Sequence, residues 1–150
     1  MAFSIRTWRR FEFKDSAGVM HTGGSSFTDQ PKTQTMAGGE SYDRTFSVTS
    51  SSIQLLFDVA NSDLSTFEFM YIESDQDGMV EFITDDNASS GELYQPHEIK
   101  AGKPYMIDSD SALSGSGSAK LFNGAADVIE AVRYKNTTST TANVRCVAAR

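Results

Sequence analysis

Apolar and polar side chains alternate with a period of two along much of this chain, the pattern of half-buried β-strands rather than helices. In SIQLLFDVA, Ile53, Leu55, Phe57 and Val59 share one face of an extended segment, and Gln54 and Asp58 face the other way. In STFEFMYIE, Phe67, Phe69 and Tyr71 alternate with Glu68, Met70 and Ile72, so both faces are apolar enough to be covered. That pattern predicts a central or interface strand. The DQDG that follows supplies turn chemistry through Asp75, Asp77 and Gly78 before MVEFI resumes, predicting a hairpin. A second hairpin is expected from DVIEAVRYKN, the polar TTST and TANVRCVAA, where Ala142, Val144, Cys146 and Ala148 align on one face.

Further strands are expected at RRFEF, at VMHT after a DSAG turn, at RTFSV, at PYMI and at SAKLF, about nine in all. AADVIEAVRY also satisfies a helical period, but the adjoining Thr-rich turn and Val-rich segment favour a strand. QPKTQTMAGGES, from Gln30 to Ser41, reads as an irregular connection or arm, and ASSGE and LSGSGS as breaks. The expected fold is all-β, a two-sheet β-sandwich with a jelly-roll-like form, formed by residues 41–150. Residues 1–40 would supply an irregular N-terminal arm and the first strands, packed on the same domain.

Composition supports this picture. The 150 residues include 20 Ser, 13 Thr and 11 Gly, a small, turn-prone set suited to many strands and unsuited to a helical bundle or coiled coil. The single Cys146 excludes an intrachain disulfide and aligns with core positions, so it reads as a small core residue rather than a nucleophile. The N-terminus lacks the apolar core of a secretory signal, and no window approaches 18 apolar residues, so the chain is expected to be soluble with no membrane partner.

The net charge of −7 is unevenly placed. Four bases stand against one acid in Met1–Lys14, eleven acids and no Lys or Arg lie between Asp58 and Glu98, and bases again exceed acids from Lys120 onward. A negative chain whose bases are not interleaved with aromatics beyond Arg6–Lys14 is not expected to bind nucleic acid directly. Basic ends around an acidic middle read first as a solvated surface; in a repeating assembly they would suit complementary contacts between neighbouring copies.

Candidate chemistry is sparse. Glu73–Glu81 has calcium-like oxygen groups, but the place of the closing bidentate acid of an EF-hand loop holds Thr84, so a solvated turn is the better reading and no metal is assigned. His21 and His97 are the only imidazoles, without HExxH, a CxxC pair or a phosphate loop. No catalytic residue or cofactor is assigned. A hydrolase using His97 with Glu92 or Glu98 ranks last. Trp8, Arg9, Arg10 and Phe11 form a basic aromatic cluster able to fill a neighbour's groove, with Asp75, Asp77 and Glu81 as complementary acids. Tyr94 and Tyr105 suggest an alternative, a carbohydrate-binding β-sandwich module.

In texture and order, SYDRTFSVTSSSIQLLFDVANSDLSTFEFMYIESDQDG and DVIEAVRYKNTTSTTANVRCVAA resemble small all-β virion structural proteins of tailed bacteriophages. The resemblance spans much of residues 41–150 and carries no catalytic motif. It implies a non-enzymatic capsid decoration or tail-associated protein that attaches symmetrically to other copies of itself and to a major capsid or tail protein. Its location would then be the virion, assembled in the host cytoplasm.

Overall fold

The structure is a computed structural model that describes residues 3–7, 10–14, 16–24, 32–36, 40–60, 64, 67–85, 92–108 and 128–150. The chain divides into two compact units, Met1–Gly39 and Glu40–Arg150. Every element among the described residues is a strand.

The first unit is built from two nested antiparallel pairs. Strand β1 (Phe3–Thr7) pairs with β4 (Lys32–Met36), and β2 (Arg10–Lys14) pairs with β3 (Met20–Gly24). Gly18, at φ 85°, takes the left-handed conformation that the turn between β2 and β3 requires. Within the stretch read as irregular, Lys32–Met36 is thus a strand: its Thr-rich KTQTM fits a pleated ladder, and its backbone partners lie far away in β1.

The second unit contains β5 (Ser41–Val48), β6 (Ile53–Asp58), β7 (Phe69–Ser74), β8 (Gly78–Asp85), β9 (Glu92–Ile99), β10 (Tyr105–Asp108), β11 (Val128–Asn136) and β12 (Ala142–Ala149). β5 pairs with β12, β6 with β11, β7 with β10 and β8 with β9, the order of one long hairpin folded over on itself. Pairing of β12 with β7 and of β11 with β8 joins these into two four-stranded antiparallel sheets, β10-β7-β12-β5 and β6-β11-β8-β9. This is the wiring of a jelly-roll β-sandwich.

Both hairpins expected from sequence are corrected by this topology. The turn after β7 and the turn after β11 each carry the chain from one sheet to the other, so neither joins paired strands. A short polar turn satisfies either geometry locally, and the choice is made by distant partners. β7, read as a central strand, does lie between β10 and β12. The possible helix in AADVIEAVRY is strand from Val128 onward, and the SAKLF segment lies outside the described residues.

The core lies between the sheets. Tyr42, Phe57 and Phe67 meet edge to face at centroid separations of 5.8 and 5.4 Å, a geometry that adds about 0.5–1.5 kcal/mol per pair to simple burial. The Tyr42 hydroxyl donates to the Leu56 carbonyl, which satisfies a buried polar group. On β12, Ala142, Val144, Cys146 and Ala148 are fully buried and Asn143 and Arg145 exposed, as the alternation requires.

β6 departs from its sequence phase. Val132 pairs with Phe57 but Arg133 with Leu55, leaving Leu56 as the extra residue of a bulge. Leu56 and Phe57 both turn inward, and Ile53 and Leu55, expected in the core, are turned out to solvent at 56% and 44% exposure. One inserted residue reverses the phase of everything before it.

Candidate interaction surface

The bulge helps create an apolar surface on the outer face of the β6-β11-β8-β9 sheet. Strand register places three rows of side chains there. The first is Ile53, Lys135, Met79 and Glu98; the second Leu55, Arg133, Glu81 and Pro96; the third Asp58, Ala131, Ile83 and Tyr94. Read by strand, β6 presents two aliphatic residues and Asp58, β11 two bases and Ala131, β8 an acid between apolar residues, and β9 a ring, a proline and an acid. Glu81 and Arg133 form an ion pair at the centre, and the Arg133 guanidinium stands 4.9 Å from the Tyr94 ring centroid. Ile53, Met79, Glu81, Pro96, Arg133 and Lys135 line a shallow concavity of about 390 Å³.

The sheet edges are closed to pairing by different means. β9 carries Pro96, which cannot donate to a ladder; β6 has its bulge; β10 is four residues long. β5 is long and regular, but Arg44 sits in phase with the inward-facing Tyr42 and Val48, its guanidinium 4.9 Å from the Tyr42 ring centroid. Charge at an inward position blunts an edge. On the outer face of the β6-β11-β8-β9 sheet, Ile53, Leu55 and Tyr94 are the large apolar side chains that stand exposed among the described residues.

At one end of the sandwich, the turns after β5, β7, β9 and β11 are tied together. Asn136 Nδ2 donates to the carbonyls of Val48 (2.9 Å), Thr140 (2.7 Å) and Thr49 (3.3 Å), and its Oδ1 accepts from Thr138 N and Oγ1 at 2.9 and 2.8 Å. The Tyr134 hydroxyl lies 3.0 Å from Ser74 Oγ and donates to the Gln76 carbonyl at 3.2 Å. Gly102, at φ 68°, donates its amide to the Ser74 carbonyl at 2.8 Å.

The acids expected to meet a basic partner have partners within the chain. Asp75 accepts from Asn143 N at 2.8 Å and Nδ2 at 2.7 Å. Asp77 accepts from Ala101 N at 2.9 Å and pairs with Lys100 at 3.2 Å. Of the three, only Glu81 stands on the open sheet face; Asp75 and Asp77 belong to the end of the sandwich. Trp8 and Arg9 lie outside the described residues, while the backbones of Arg10 and Phe11 pair with Gly24 and Gly23. Among the described residues no three His, Cys, Asp or Glu side chains gather as metal ligands.

Hydrogen bonds from the Asn143 side chain and backbone hold the Asp75 carboxyl below its ordinary range, and those from Ala101 and Lys100 do the same for Asp77. A lowered folded-state value means that the stabilisation is complete above the unfolded range, about pH 4, and is lost as pH falls through the folded value. Asp75→Asn is therefore expected to lower the melting temperature at neutral pH and to flatten its fall on acidification below about pH 4. Thermal melts of both proteins across that range check this; an unchanged acid slope would contradict it.

The other candidates separate spatially. Tyr105 packs its ring 5.4 Å from Phe82 and 5.1 Å from His97, on the inner side of the sandwich, whereas Tyr94 is on the outer face, so the two tyrosines do not share a surface. His97 and Glu98 likewise point to opposite faces, and Glu98 binds Lys100 Nζ at 2.7 Å. Burial pushes the Cys146 thiol up to about 12, which keeps it protonated and unreactive at neutral pH. The exposed apolar positions Ile53 and Leu55 were invisible as surface residues in the sequence, because their alternation with Phe57 assigns them to the core.

Comparison with protein-family models, with curated proteins and with solved structures finds no match to this chain.

Proposed function

We propose that this chain is a non-enzymatic structural component of a bacteriophage virion, a capsid decoration or reinforcing protein that works through repeated protein–protein contacts. The observation that carries the reading is the outer face of the β6-β11-β8-β9 sheet, where Ile53, Leu55 and Tyr94 stand 56%, 44% and 46% exposed around an ion pair. Exposed apolar side chains gathered on one rigid sheet mark a contact surface better than scattered ones do. The polar groups of the capped end support the same reading: Asp75, Asp77, Ser74 and Asn136 spend their hydrogen bonds holding turns in place.

Many modest contacts on a repeating lattice act together, so one flat face per copy suffices to reinforce a particle. The partners in this reading are other copies of the chain and a major capsid or tail protein, and the location is the virion. Replacing Leu55 with Asp, or Tyr94 with Ala, is expected to reduce association with assembled particles about tenfold while leaving the fold intact, as read by co-sedimentation and circular dichroism. Wild-type co-sedimentation by both variants would overturn the assignment of this face. The carbohydrate-binding alternative draws on Tyr94 alone; glycan binding by a monomer that ignores particles would favour it.

A further inference from the structure

We propose that the outer face of the β6-β11-β8-β9 sheet packs against the same face of a second copy, about a two-fold axis running along the strands between β11 and β8. The inference rests on the contact-surface reading above and names the occupant of that surface.

The order of the four columns carries it. Rotation about such an axis lays the β11 column of one copy over the β8 column of the other and β6 over β9. Row by row, Ile53 then faces Glu98 of the second copy and Lys135 faces Met79; Arg133 faces Glu81 and Leu55 faces Pro96; Asp58 faces Tyr94, and Ala131 stands over Ile83, which is already buried in its own chain. The central Arg133–Glu81 pair becomes a four-membered network in which each guanidinium has a carboxylate in its own chain and one across the interface. No like charges are brought together in any of the three rows. A face whose columns were basic at one side and acidic at the other in a different order would not be self-complementary in this way. Isologous contacts of this kind are the commonest in homo-oligomers, and two sheets stack face to face about 10 Å apart with their strands nearly aligned.

The area sets the strength. Four strands about 4.8 Å apart and three same-face rows cover a flat patch of about 400 Å² per copy, below the roughly 800 Å² per partner of a standard stable interface. The pair is therefore weak in free solution and populated at high concentration, which suits a contact reinforced on a lattice.

Cysteine cross-linking reads out the register. Leu55 and Pro96 lie in one row but on strands β6 and β9, three strand spacings or about 14 Å apart within a copy, too far for an intrachain disulfide. Across the two-fold axis they face one another. The full-length Leu55→Cys, Pro96→Cys double variant is expected to form a covalent dimer under mild oxidation at millimolar protein, and neither single variant to do so, because neither position meets itself. Buried Cys146 stays out of the reaction. Dimers from either single variant, or none from the folded double variant, would overturn the proposed axis, as would a strictly monomeric wild-type chain in sedimentation equilibrium at millimolar concentration. Should the chain prove monomeric while Leu55→Asp still weakens particle association about tenfold, the face binds a shell protein and only the self-packing fails. Loss of both effects removes the contact surface itself.

Discussion

Asn136→Ala is expected to destabilise the protein by about 3–4 kcal/mol, a melting-temperature loss of roughly 10 °C. The side chain is fully buried, and its two amide protons serve the carbonyls of Val48, Thr49 and Thr140 while its oxygen accepts from Thr138. Removing it orphans carbonyls in two turns at once, and a buried polar group left unpaired costs more than an average hydrogen bond contributes. Asn136→Asp keeps the shape but puts acceptors against acceptors, so at neutral pH it should cost at least as much as alanine. Chemical denaturation of both variants checks the ranking. A loss below about 1 kcal/mol for either would mean that water replaces the amide and that the end of the sandwich is looser than described.

Gly78→Ala is the second large effect, expected at about 3 kcal/mol or more. Gly78 has no left-handed φ, so the reason is space: an added Cβ would overlap the Tyr134 ring and hydroxyl. Tyr134 is fully buried and cannot swing away without abandoning Ser74 Oγ and the Gln76 and Asp77 carbonyls. Tyr134→Ala alone should also cost several kcal/mol, through its cavity. The two are coupled, because the new methyl enters the space the ring leaves. The double variant Gly78→Ala, Tyr134→Ala is therefore expected to lose less than the sum of the single losses, by about 1–3 kcal/mol in a denaturation cycle. Additive losses would contradict the close approach of Gly78 to the ring.

These two residues also show how far the fold was legible in the sequence. Alternation marked β6, β7 and β12, β-rich and β-branched runs marked β2, β3, β5, β8, β10 and β11, and the buried side of β12 was readable residue by residue, because each of these tendencies is local. The connections were not. DQDG and TTST have the composition of hairpin turns, yet each crosses between sheets, and the groups that make them do so include Tyr134 and Asn136, some 60 residues from Ser74 or 88 from Val48. β9 was passed over because ELYQPHEI contains Pro96 and charged ends, features that suit an edge strand and disguise it. β4, KTQTM, was missed for want of apolar alternation; β1, FSIRT, alternates but is only five residues long, and the pairing of the two bridges distant residues.

The exposed apolar positions of the β6-β11-β8-β9 face were hidden for a different reason. Ile53, Leu55 and Phe57 form an unbroken alternating series in the sequence, and only the pairing of Arg133 with Leu55 reveals Leu56 as the bulged residue that turns the first two outward. Glu81 was selected for its charge and does lie on this face, but its companion Arg133 was not, since 52 residues separate them. Asp75 and Asp77 were drawn from the same acidic run, and their hydrogen bonds place them in the capped end. A charge map in one dimension identifies sign and density; which acids face a partner depends on which ones the turns have already engaged.

Direct imaging of the native particle by electron cryomicroscopy tests the central claim most directly. The account predicts repeated copies of the jelly-roll unit on the particle, with Leu55, Arg133 and Tyr94 of the β6-β11-β8-β9 face buried in a protein contact. Copies bound with that face open to solvent, or particles that never carry the chain, would contradict it.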